Sequence, residues 1–320
     1  MGNKNNVMCS FLENAERFAD FINGSLYGGS SVILPEQISE CQTVYSQNGE
    51  SRDLLKLVCE GGSYTLIGVE NQAQVHYAMP IRCMEYDLQE YKKQLRNLKT
   101  KYRRKEKEDR YKLTSAEFIS GLKRNDKLYP VTTVVFYHGM EPYDGCVNLH
   151  DMLDFKEKNE IFKQYVSDYQ INLVTLRALD ENNFQTELRD LIGLLKRSHD
   201  KKEFLKFCRE NKHRMSEIGE ETFDAISVLT DREDLIEKKH AYVGKGGRIN
   251  MCKAMEDWAE ELKQEGINQG LGHGIEAFVL DHLEDGMEEK RIIEKLQKRF
   301  RLDAEAALET VRRCSLQNSV

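Results

Sequence analysis

The sequence predicts an α/β fold followed by an α-helical C-terminal extension, and three observations carry that expectation. Apolar runs of strand length at 53–59, 64–69, 131–137 and 171–176 are separated by helical patterns. All four prolines (35, 80, 130 and 142) fall in the first 142 of 320 residues, and proline punctuates loops and strand edges. From about Gln185 onward the pattern is helical throughout, charged and poor in β-branched runs. The length suits about two domains, three at most. The expected division is an α/β domain over 1–184, a helical subdomain over 185–250 and an acidic helical tail over 251–320.

Taken in order, a first helix covers 12–23 with Gly24 as its stop. The strand at 53–59 is apolar on both faces, with Leu55 and Leu57 on one and Leu54 and Val58 on the other, so layers are expected on both sides of the sheet. After Pro80 a long helix repeats Ile81, Met84, Leu88, Tyr91, Leu95 and Leu98 at intervals of three and four, a stripe that belongs on a sheet. In the tail, Gly266, Gly270 and Gly274 recur every four residues beside Ile267, Leu271 and Ile275, on one helix face. Small residues so spaced let two helices approach, which makes the C-terminal helices a candidate homo-oligomer contact; against it, each glycine costs a helix about 1 kcal/mol relative to alanine. Two amphipathic helices at 288–300 and 303–313 close the chain, a pattern shared by helix-turn-helix readers and ordinary helical hairpins.

Composition removes several function classes. With 40% hydrophobic and 32% charged residues the chain is neither collagen-like nor disordered. No window approaches the roughly 18 apolar residues of a membrane span, so no membrane partner is expected. The opening MGNKNNVMCSF lacks the charged leader and apolar core of a secretory signal, and a cytoplasmic location is expected. Eight cysteines lie scattered from Cys9 to Cys314 with no C-x-x-C pair, which argues against a structural zinc site and for reduced, idle thiols. The net charge of −7 hides a basic island: 92–112 carries eleven Lys or Arg against three acids, a local +8. Such an island neutralises phosphates in a nucleic-acid complex, or forms a solvated helix end.

The chemistry is concentrated at 52–74, RDLLKLVCEGGSYTLIGVENQAQ. Gly61-Gly62 between two apolar runs suits a two-residue hairpin turn. That turn fixes the pairing: residues whose numbers sum to 123 lie opposite one another, so Glu60 faces Ser63 and Asp53 faces Glu70. Gln72 points to the same face as Glu70, because strand side chains alternate. Cross-strand Cβ atoms about 4.5–5.5 Å apart bring two carboxylates close enough to repel unless a cation or a shared proton intervenes. Mg²⁺ would resolve that conflict, since it often binds through one or two carboxylates, waters and a substrate phosphate. The competing reading is a solvated sheet edge, and a one-residue bulge would turn Asp53 to the other face.

The residues Arg52-Asp53, then GVENQ at 68–72, then HYAMPIR at 76–82 and Tyr86 resemble the recombination-promoting nuclease (Rpn) family, also described as PD-(D/E)XK nuclease family transposases. FADFING at 18–24, LHDMLDF at 149–155, ISVLT at 226–230 and NMCKA at 250–254 extend the likeness over most of the chain. The resemblance implies a restriction-endonuclease-like α/β/α core with a mixed central sheet, with 1–184 as the nuclease domain. It also implies divalent-metal-dependent DNA cleavage linked to mobile elements or recombination. Carried over by position, Asp53 and Glu70 match the acidic metal ligands, and Gln72 stands where related nucleases have lysine. Mg²⁺ is the expected ion, with Mn²⁺ or Ca²⁺ as substitutes, and DNA the expected partner. Arg82, Lys92, Lys93, Arg96, Lys99, Arg103 and Arg104 are candidate nucleic-acid contacts. Arg82 and Tyr86, one helical turn apart, contact a phosphate or brace the sheet. Glu13, Glu16 and Glu36 are candidates for an additional acid, and His76 for proton transfer or a structural role. The neutral Gln72 keeps a second function open, a catalytically lapsed fold that binds DNA or serves in assembly.

Overall fold

A computed structural model describes residues 3–41, 52–107, 112–156 and 160–317. The chain divides into two compact units, 1–252 and 253–320.

The first unit is built on a five-stranded mixed sheet in the order β1 (Ile38–Glu40), β2 (Leu54–Glu60), β3 (Ser63–Gln72), β4 (Val131–Tyr137) and β5 (Asn172–Thr175). The first three strands pair antiparallel, and β3, β4 and β5 run parallel. The β2–β3 hairpin turns on Gly61 and Gly62, whose φ values of +55° and +85° are those a two-residue turn of this hand requires. Its ladder runs from Glu60↔Ser63 to Leu54↔Val69 without a bulge, so the expected register holds along the whole strand.

Helices cover both faces. On one lie α1 (Asn3–Glu13) and α2 (Ala15–Leu26), with the ring of Phe21 of α2 tilted against that of Phe136 of β4, centroids 5.0 Å apart. On the other lies α3 (Met79–Lys107), where Met79 and Cys83 pack with Val135 and Ile171. The connection from β3 through α3 to β4 joins two parallel strands, which no tight turn can do. A short helix α4 (Ser115–Ser120), capped by Thr114 and Glu117, follows α3.

The first helix differs from its expected form. The chain breaks at Asn14, whose side chain accepts from the Glu16 and Arg17 amides, so 12–23 divides between α1 and α2. Gly24 does not stop α2. It sits inside the helix where a Cβ would come within 2.3 Å of the buried Phe184 ring. Close packing is its reason, and FADFING is a latch. Asp20 accepts from the Gln185 and Thr186 amides, and Asn23 holds the backbone of Val32 and Ile33.

The stripe expected on α3 is rotated. Ile81 and Leu88 are exposed, and the buried face carries Cys83, Tyr86, Asp87 and Glu90. Asp87 faces inward because three distant groups meet it. Arg52 Nη2 donates to Oδ1 at 2.5 Å, Thr133 Oγ1 to the same oxygen at 2.7 Å and Tyr169 Oη to Oδ2 at 2.6 Å. The Arg52 side chain is fully buried and also donates to Thr133.

Beyond the sheet come α5 (Leu188–Leu195), α6 (Lys201–Glu210), α7 (Lys212–Met215), α8 (Glu220–Leu229) and α9 (Asp234–Glu237). Helix α8 packs on α1 and α5, and the ion pairs Lys4–Asp231 and Arg17–Glu221 tie α1 and α2 to this region. Helix α10 (Met251–Glu284) begins at the end of the first unit. In the second unit its later turns pack with α11 (Glu289–Phe300) and α12 (Ala304–Gln317) around Ile275, Val279, Ile292, Leu296, Ala307 and Val311. Among the described residues no helix is long and apolar enough to cross a membrane.

Candidate active site

The hairpin carries Asp53 and Glu70 to one end of the β2–β3 ladder. Asp53 lies one residue before β2, half-buried, and its Oδ2 accepts the Asn71 amide at 2.7 Å. Glu70 is wholly buried on the face covered by α3, beside Val135 in the parallel register. Neither Glu70 oxygen has a hydrogen-bond partner among the described residues, and Asp53 Oδ1 has none either. Arg82 Nη2 approaches Glu70 Oε2 to 3.2 Å, an ion pair without hydrogen-bonding angles.

Electrostatics follow from this enclosure. Burial, and after it the charge of Asp53, pushes the Glu70 carboxyl up to about 8, against the pull of Arg82 and Arg52. Burial also raises Asp53, opposed by the Asn71 amide and by Arg82. Cys9 of α1 adjoins the pair: it accepts from Asn71 Nδ2 at 3.2 Å, and burial with the Asp53 charge drives its thiol up to about 12.

Asp53 Oδ1 and Glu70 Oε1, without hydrogen bonds, and Glu70 Oε2, held only by the Arg82 ion pair, form a buried corner that suits a hard dication, which takes oxygen donors and completes its shell with water. No group of three or more His, Cys, Asp or Glu side chains with metal-binding spacing occurs among the described residues.

The other residues singled out in the sequence distribute as follows. Gln72 is buried two positions beyond Glu70, and its carbonyl accepts from the His138 amide. His76 has a buried Nδ1 with no partner among the described residues, and its carbonyl accepts from the first amide of α3. Glu13, Glu16 and Glu36 are all exposed, at the end of α1, on α2 and on the 3-10 turn Pro35–Gln37, and the charge of Glu13 bears on Cys9. Lys92, Lys93, Arg96, Lys99, Arg103 and Arg104 follow Arg82 along α3. At 1.5 Å per residue Arg104 lies roughly 33 Å beyond Arg82 along the axis, so the basic stretch leads away from the carboxylates. Residues 108–111 of that stretch lie outside the described residues. A cavity of about 610 Å³ opens past the C-terminal ends of β3 and β4, lined by Ala73, Gln74, Tyr77, Tyr137, Pro142 and Asp144 among others. Ligands of open α/β sheets sit at such strand ends.

Sequence reasoning missed Cys9 and the polar anchor beneath the site. Arg52 precedes Asp53 by one residue, and its guanidinium lies against Gly68, where a Cβ would meet Nη1 at 2.7 Å. The adjacency of Arg52 to the candidate ligand was the available signal.

Comparison with known families gives a decisive match. Residues 50–223 fit the sequence model of the family described as "Putative transposase, YhgA-like". The chain belongs to that family. The YhgA-like match agrees with the resemblance seen in the motifs and spans the sheet from β2 to β5, all of α3 and the helices through most of the first turn of α8. No curated protein and no solved structure matches the chain.

Proposed function

We propose that this YhgA-like protein is a cytoplasmic, divalent-metal-dependent DNA endonuclease that hydrolyses phosphodiester bonds in connection with mobile elements or recombination. The observation that supports this most strongly is the nearness of Asp53, just before β2, to Glu70 of β3, with three of their buried oxygens left without hydrogen bonds. Natural proteins rarely leave buried acceptors unpaired without a functional reason.

In this reading Asp53 and Glu70 hold Mg²⁺, for which Mn²⁺ or Ca²⁺ can substitute. When bound, such an ion acidifies a coordinated water and neutralises charge on the scissile phosphate. Gln72 hydrogen-bonds the attacking water; its amide orients that water and takes no proton from it. The exposed basic side chains of α3 hold the DNA backbone at a distance from the cut, contributing affinity without sequence information. The C-terminal helices are a surface for a second copy.

Plasmid nicking tests the proposal. Nicking is expected in Mg²⁺ or Mn²⁺, with none in EDTA and none from Asp53→Ala or Glu70→Ala. Equal nicking by both variants would remove the basis of the assignment. Gln72 favours a second reading, since an amide supplies no charge where a lysine would: the fold then binds DNA without cutting it. Salt-dependent binding with no cleavage under any metal would select that reading.

A further inference from the structure

We propose that Arg82 is the cationic group of the reaction centre, supplying from helix α3 the positive charge that Gln72 does not supply from strand β3. It serves as counter-ion to the Asp53–Glu70 pair until the metal binds, and then turns to a non-bridging oxygen of the scissile phosphate. The proposal rests on the nuclease reading above and adds a catalytic residue to it.

Two guanidiniums approach Glu70, and the structure separates their parts. Arg52 is fully buried, and its charge is answered by Asp87 at 2.5 Å, with Thr133 as a further acceptor. A cation so held cannot follow a substrate. The Arg82 side chain is 28% exposed and starts from the first turn of α3 at the rim of the site. Its contacts are loose: 3.2 Å to Glu70 Oε2 without hydrogen-bonding angles, and 3.2 Å from Nε to Tyr86 Oη. Its Cζ stands 5.5 Å from the centre of the Tyr86 ring, a platform that keeps a guanidinium nearby while its donors change partners.

The charge count leads to the same assignment. Asp87 accounts for Arg52, so Arg82 answers the Asp53–Glu70 pair, and its charge bears on both carboxylates. A dication held by that pair would take over this role and repel the guanidinium. Phosphate is the natural next partner, because the planar fork of arginine donates two parallel hydrogen bonds to phosphate oxygens. Arginine is not deprotonated in proteins, so Arg82 forms no bond and accepts no proton in the cleavage step; it stabilises the negative charge that grows on phosphorus oxygens.

The test compares full-length wild type, Arg82→Ala, Arg82→Lys, Gln72→Lys and the double variant Arg82→Ala/Gln72→Lys, each confirmed as folded by its thermal transition. Two quantities are read: the single-turnover rate of plasmid cleavage in Mg²⁺, and the affinity for Mn²⁺ alone by calorimetry. Arg82→Ala is expected to slow cleavage about 10²–10³-fold, as loss of a transition-state donor does. It should bind Mn²⁺ at least as tightly as wild type, because a competing cation is gone. Lysine at position 82 or at position 72 is expected to recover ten-fold or more of the lost rate. Cleavage by Arg82→Ala within three-fold of wild type, Mn²⁺ binding weakened in that variant, or recovery by lysine at neither position would each overturn the proposal. A wild type that binds Mn²⁺ yet cleaves nothing would instead overturn the nuclease reading on which it rests.

Discussion

Replacing Asp87 with alanine should destabilise the first unit by about 3–5 kcal/mol, the range found when one partner of a buried ion pair is removed. The structure places Asp87 in that class. Its partner Arg52 has a side chain with no exposure and its own side chain has 10%, so the pair is not screened as a surface bridge would be. The substitution removes three hydrogen bonds at once, those donated by Arg52, Thr133 and Tyr169 to the two carboxylate oxygens. It leaves a guanidinium in the core without its carboxylate. For a unit of about this size each kcal/mol moves the transition by roughly 2–4 °C, so Tm should fall by roughly 6–20 °C. Urea titration at constant pH measures the loss directly, and an unchanged m value would show that the native state stayed compact. Arg52→Met/Asp87→Leu is expected to recover much of it, since apolar side chains of similar volume often replace a buried pair with little loss. A loss below about 1 kcal/mol for Asp87→Ala, the range of an exposed pair, would refute the low-dielectric argument.

Three further expectations concern pH, packing and DNA. Glu70 has an ordinary value of 4.5 and stands at about 8 in the fold, so the folded metal-free protein holds a proton that the unfolded chain releases. Its stability should therefore be greatest below pH 4.5 for this group and fall as pH rises through 8, by at most on the order of 5 kcal/mol. Denaturation in EDTA at pH 5 and pH 8.5 measures the slope, and an equal slope in Glu70→Gln would assign it to other groups. Gly24→Ala gains about 1 kcal/mol of helix propensity but forces a Cβ to within 2.3 Å of Phe184, an overpacking cost of about 1–3 kcal/mol. The net should be destabilising, and a raised Tm would show that the ring can yield. Replacing Lys92, Arg96, Arg103 and Arg104 with glutamine should flatten the salt dependence of DNA binding by up to about 0.9 for each phosphate no longer neutralised. An unchanged slope in fluorescence anisotropy would mean that DNA follows another face.

What the sequence revealed was local. The β2–β3 register could be read from Gly61-Gly62, because a two-residue turn sets every pair above it, and the observed ladder keeps the same sums. Strand β4 coincides with its apolar run, 131–137. The errors arose where distant residues decide the outcome. The periodicity of α3 put Ile81 and Leu88 inward, yet Arg52, Thr133 and Tyr169, 35 to 82 residues from Asp87, draw a charged face onto the sheet. Gly24 looked like a helix stop because nothing near it in sequence announces Phe184, 160 positions later. Strand β1 has three residues and no strong pattern of its own; it forms by pairing with β2, where Glu40 meets the buried Lys56. Within the site, the hairpin arithmetic brought Asp53 and Glu70 together, but it carried no information about α1 or α3, which bring Cys9 and Arg82 to the same corner.

Anchor and site share two short segments, which has a physical consequence. Arg52 and Asp53 are neighbours at the entry to β2, and Arg82 and Asp87 lie five residues apart on α3. The buried bond between Arg52 and Asp87 therefore fixes the start of the hairpin to the start of the helix, next to the ion pair between Glu70 and Arg82. Burying that polar network is costly, and an apolar core would give equal stability. A directional bond holds one relative position of hairpin and helix, whereas apolar side chains would tolerate sliding between them. In the proposed nuclease, the carboxylates of the hairpin and the cation of the helix would act on one phosphate only if that position is held. The polar face of α3 is thus best understood as the support that keeps a site divided between two elements in register.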